Sequence, residues 1–262
     1  MHNKKPGLAG LFLWKSEKKY SILMEKKGGG QMQKSQFAIL NGNHLKLIAA
    51  LTMLLDHAGI LLFPQVKLFR ILGRLALPIF AYMIAEGCRY TKNKLRYFLM
   101  VFGLGAACQL VYYFVSGDTY LNILLTFSCS ILLIYCLQAL HKEQDWQRRF
   151  WLSMLFAFLF AGVYGLTELV TLDYGFWGVM VPVFVSLAHA RRWPRWAELL
   201  LLGAALLFLA ADRGGNQPYG LLALPVLALY NGQRGKANMK YFFYIFYPVH
   251  LAVLQGIAWL LG

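Results

Sequence analysis

Acidic residues are the scarcest class in this chain of 262 residues: Asp and Glu total 11, against 26 Lys and Arg. Charges of both signs make up only 14%, where soluble domains carry about 25%. That shortage excludes a water-soluble globule of this size, and a hydrophobic content of 59% excludes disorder. The common enzyme signatures are missing too, with no Walker loop, HExxH, GxSxG or CxxC. The four cysteines (Cys88, Cys108, Cys129, Cys136) have no metal-ligand spacing and lie in or beside apolar runs. They read as reduced, packed small hydrophobes, and no bound metal is expected. The net charge of +15 would suit nucleic acid, but the cations fall in short clusters between apolar runs, without a basic stripe. A mean hydropathy of +0.51 then leaves an integral membrane protein.

From Leu45 onward nine apolar segments follow one another, at about 45–63, 68–88, 97–116, 121–140, 150–170, 174–190, 197–211, 217–230 and 241–261. Continuous rather than alternating hydrophobicity predicts an all-α polytopic bundle of about nine spans. The seventh and eighth fall short of the roughly 20 residues a crossing needs, so they are expected to tilt or re-enter. With the N-terminus in the cytoplasm, 22 of the 26 basic residues lie inside, while Asp118, Glu168, Asp173 and Asp212 lie outside. The positive-inside rule therefore favours N-in, C-out, in a cytoplasmic membrane. Residues 1–43 read as a separate, flexible cytoplasmic tail in which eight lysines outweigh Glu17 and Glu25. Through those lysines and Trp14 it is suited to touch anionic lipid, and no signal peptide is read in it. The membrane domain occupies 44–262.

Ionisable groups inside the bilayer are costly and mark function by default. Asp56 and His57 lie 11 and 12 residues into the first segment, Arg74 6 into the second, and His250 9 into the ninth. At about 1.5 Å per residue all four fall in one slab around the midplane. Adjacent helical residues do not face each other, so Asp56 is expected to pair with Arg74, with Arg70 one turn higher as the lesser partner. His57 then points toward a cavity. The plainer reading makes the pair an interhelical tie and the histidines core residues. Glu86 and Arg89 read as a surface pair, and Gln109 and Asn122 as either helix–helix or substrate contacts. Pro78, Pro182, Pro225 and Pro248 break helical ladders, which is tolerated where protein or a wet cavity satisfies the freed carbonyls, and Pro248, beside His250, suits a cavity wall.

Three stretches, LDHAG (55–59), GRLALPIFAYMIAEG (73–87) and FFYIFYPVHLAVL (242–254), together with NILLTF from Asn122, resemble the TraX family of membrane proteins. The resemblance covers about 45–261 and implies acetylation of a pilin N-terminus, with acetyl-CoA as the donor. On that reading His57, Asp56, His250 and Arg74 carry the chemistry, while Arg70, Asn122 and Tyr247 contact the donor. The residues agree: acyl transfer needs a base for the acceptor proton and a cation for the developing oxyanion, which a neutral His and a midplane Arg supply. The acceptor is a protein N-terminus or a small molecule, and the basic inner loops attract the donor's phosphates. A transporter or flippase uses the same midplane charges and broken helices, although the chain shows no internal repeat.

Overall fold

The computed structural model describes residues 38–261 apart from 118, 192, 237 and 238. The tail therefore lies outside the described residues except at its end, where Gly42 and Asn43 already belong to the first helix. Asp118, one of the acidic residues expected outside, is also beyond them.

Among the described residues the secondary structure is helical, without strands. In chain order the helices are α1 (Gly42–Leu61), α2 (Lys67–Gly73), α3 (Ala76–Tyr90), α4 (Lys94–Ser116), α5 (Ile123–Lys142) and α6 (Trp146–Leu169). They continue with α7 (Gly175–Ala190), α8 (Arg195–Arg213), a 3-10 helix (Gln217–Leu222), α9 (Ala223–Ala228) and α10 (Lys240–Leu261). Polar caps start several of them: the side chains of Asn41, Asn93, Asn122 and Asp145 accept backbone N–H groups in the first turns of α1, α4, α5 and α6. The break between α2 and α3 has its cause four residues on. Pro78 has no N–H to give the Arg74 carbonyl, and its ring crowds that oxygen, so the ladder opens at Arg74. Pro182 and Pro248, by contrast, are held inside α7 and α10.

Five stretches are long and apolar enough to cross a membrane: Gly42–Leu61, Lys67–Tyr90, Lys94–Phe114, Ile123–Lys142 and Trp146–Leu169. They match the first five predicted segments. The sixth is the 16-residue α7, and the seventh lies in the 19-residue α8. The eighth is the composite Gln217–Ala228, which spans only about 21 Å at roughly 2.0 and 1.5 Å per residue. Its shortness explains the weak signal there.

Contacts between distant segments define two ends. At the end where α1 begins, called basal here, Gly42 N–H donates to the Gln233 carbonyl (2.7 Å) and Tyr230 OH to Glu86 (2.5 Å). Arg195 donates there to the carbonyls of Leu227 and Tyr230. At the opposite, distal end Leu121 pairs with Leu172, and Tyr120 OH donates to Asp173 (2.9 Å). The expected Glu86–Arg89 surface pair does not form. Glu86 is buried, where a carboxylate needs a donor and takes it from Tyr230, and Arg89 turns instead toward Glu198 (3.6 Å). The core centres on α7, whose Val179, Val181, Val183 and Val185 are buried between α3, α5 and α8. Helix α6 has the opposite character, with Trp151, Phe158 and Leu169 exposed as a lipid-facing helix requires.

Candidate functional site

Asp56 lies in the distal half of α1. Its carboxylate accepts from Arg70 Nη1 at 2.6 Å and from Arg74 Nη2, so both guanidiniums converge on one buried carboxylate. The pairing with Arg74 is the one the helix register predicts. The second partner follows from local shape: Gly73 sits where any Cβ would overlap Asp56, so α2 lies close against α1 and Arg70 reaches the same carboxylate. Arg74 also lies over the Tyr174 ring, 5.8 Å from its centroid. Tyr174 adopts φ 61, the left-handed region that costs a side-chain-bearing residue about 1–2 kcal/mol.

His57 faces the same cavity from the next position of α1. Its Nδ1 is 3.0 Å from the Met53 carbonyl and 3.2 Å from His250 Nε2. His250 Nδ1 is in turn 2.8 Å from the Phe246 carbonyl. Carbonyls only accept, so both Nδ1 atoms carry hydrogen, and His250 Nε2 accepts from His57. That arrangement leaves the lone pair of His57 on Nε2. Stacking on Phe246, at 4.8 Å between centroids, fixes the His250 ring.

A cavity of about 380 Å³ is lined by Asp56, His57, Arg70, Arg74 and Tyr247, together with Tyr120 and Asp173 from distal loops, Arg213 at the end of α8 and Gln217 at the start of the 3-10 helix. These last four are not singled out by the sequence as site residues, because polar residues of loops and helix ends look the same whether they face solvent or a site. Burial raises the Asp173 carboxyl to about 6, against the opposing pull of the Tyr120 hydroxyl, Arg74 and Arg213. Two expected site residues sit elsewhere. His250 lies behind His57 and lines neither of the cavities described here. Asn122 has its side chain occupied: it caps α5 and donates to Gly105 O (2.8 Å) and Gln109 (3.1 Å), so it is a helix–helix tie.

A second cavity of about 730 Å³ opens from the basal end and shares five lining residues with the first: Met53, Phe80, Ile123, Phe127 and Tyr247. The family described as TraX protein matches residues 41–258, which takes in every element that builds the two cavities. The chain belongs to the TraX family. Among curated proteins, this TraX chain is 29% identical over 245 residues to the probable fimbrial assembly protein FimC, serogroup H1, of Dichelobacter nodosus, covering 80% of this chain and 92% of that one. An uncharacterised protein of Rickettsia prowazekii (strain Madrid E) is 35% identical over 60 residues, 23% of each chain. No solved structure matches this TraX protein.

Proposed function

We propose that the protein is an integral membrane acyltransferase that moves an acetyl group from cytosolic acetyl-CoA to an amine, such as the N-terminus of a pilus or fimbrial subunit, or to a hydroxyl. The observation that carries this reading is the histidine pair, because its hydrogen bonds leave an unprotonated Nε2 on a cavity-lining residue beside two arginines. In the proposed step His57 Nε2 takes the acceptor proton as the acceptor nitrogen attacks the thioester carbonyl. The C–N bond forms, the C–S bond breaks, and the proton passes to the departing thiolate. Arg70 and Arg74, held in place by Asp56, stabilise the developing oxyanion. His250 orients His57 without touching substrate. Family membership and the FimC relative support a subunit of a surface fibre as the acceptor.

The proposed setting is a bacterial cytoplasmic membrane crossed nine times, N-in and C-out. The charge asymmetry supports it, as does the course of the eighth segment, whose ends contact opposite ends of the bundle despite its length: Gln217 lines the distal cavity and Tyr230 meets Glu86. A transporter or flippase is the second reading, favoured by two cavities that meet at five shared residues. Sealed vesicles holding the protein, labelled acetyl-CoA and a peptide with a free N-terminal amine separate the two. Stable label on the peptide supports the acyltransferase. Accumulation of unmodified peptide across the membrane, with no label transfer, supports the transporter and removes the first reading.

A further inference from the structure

The geometry points to the basal cavity as the binding site of the CoA thioester, with Lys46, Arg96 and Arg234 holding its phosphates at the mouth and the acyl end reaching His57 through the apolar interior. This assignment rests on the acyl transfer proposed above and says where the donor sits and what recognises it.

Three chain segments that are distant in sequence bring cations to one opening. Lys46 lies in the first turns of α1, Arg96 in the first turn of α4, and Arg234 in the loop before α10, whose backbone lies against Gly42. Among the described residues Glu86 is the one carboxylate in the lining, against these three cations, so the lining carries net positive charge. The interior is different in character: Met83, Ile84, Met100 and Leu104 line it, and it ends at the five residues shared with the distal cavity. A charged mouth on an apolar shaft fits a molecule with an anionic head and a long, thin, uncharged arm. Length agrees as well. His57 follows Lys46 by 11 residues of one helix, about 16 Å. The cavity of about 730 Å³ is in the range of small-molecule and cofactor sites. An acceptor then uses the distal cavity, and donor and acceptor meet at the shared residues from opposite sides.

An acyl-bearing anionic phospholipid shares this head-and-arm chemistry, and the test separates the two. Full-length protein in phosphatidylcholine nanodiscs is given either acetyl-CoA or the truncated thioester S-acetyl-N-acetylcysteamine, with a peptide bearing a free N-terminal amine, and thiol release is followed. Lys46→Gln, Arg96→Gln and Arg234→Gln are each expected to raise the KM for acetyl-CoA about tenfold, the scale of one lost hydrogen bond to a charged group. Each keeps kcat/KM for the truncated donor within about twofold, which also shows that the variant is folded. Arg148→Gln, on the exposed start of α6, changes neither. Unchanged KM for acetyl-CoA, or equal loss with both donors, overturns the assignment and leaves acyl transfer standing. Competition by added phosphatidylglycerol at the cavity assigns it to lipid and overturns the proposal. No thiol release from either donor by the unaltered protein removes the acyl-transfer reading and this assignment with it.

Discussion

Asp56 accepts from two guanidiniums, so the loss of the carboxylate and the loss of one arginine are unequal events. Asp56→Asn leaves two cations facing each other at depth and is expected to destabilise by about 3–5 kcal/mol. Arg74→Gln leaves Arg70 in place and is expected to cost less, and the double variant less than the sum of the singles. Melting temperatures of the four proteins in detergent check this, and strict additivity would mean that the pair is not coupled. Asp173 gives a pH signature. Its folded value of about 6 lies above its ordinary 3.8, so the folded state holds the proton more tightly than the unfolded chain does. The resulting stabilisation is complete below about pH 4 and is lost as pH rises through about 6. Asp173→Asn stays neutral throughout, so its melting temperature is expected to fall less than the wild type's over that interval; parallel pH curves would contradict the assignment. Asp56, His57, Arg74 and His250 were legible in the sequence because each is a charged or titratable group inside an apolar run. Asp173, Tyr120, Arg213 and Gln217 were not, because each comes from a loop or helix end, where polarity carries no information about burial.

At the scale of elements, Pro78 and Gly73 do most to shape the site. Pro78 ends the helical ladder at Arg74, and Gly73 lets α2 approach α1 until two arginines reach one carboxylate. Gly73→Ala places a methyl group on Asp56 and is expected to lower stability by about 1–3 kcal/mol, with a larger loss of turnover as Asp56 is displaced. Unchanged melting and turnover would mean that the α1–α2 contact tolerates the methyl group. Helix positions were readable where hydrophobic length is itself the signal, as in the first five spans. The eighth segment is legible in position, at about 217–230 against Gln217–Ala228, but not as a crossing, because a 3-10 helix followed by a short α-helix has the composition of a span and only part of its length. Nor was the Glu86 partner foreseeable: Tyr230 lies 144 residues away in sequence, and only the fold brings the two together.

The whole molecule places one cavity toward each end of the bundle, with the histidine pair near their common wall. The proposed orientation makes the basal end cytoplasmic. Single cysteines at Glu168 and Gly214 are then expected to react with an impermeant thiol reagent on intact cells, and cysteines at Lys94 and Arg234 only after lysis; the reverse pattern would invert the assignment of donor and acceptor sides. The central claim is that His57 is the base for acyl transfer, and intact mass of the acceptor peptide tests it most directly. Incubated with acetyl-CoA and the reconstituted wild-type protein, the peptide should gain one acetyl group at its N-terminus. With His57→Ala the rate should fall by at least about 10²-fold while the melting temperature stays close to that of the wild type. Acetylation at an undiminished rate by a folded His57→Ala protein would contradict the account.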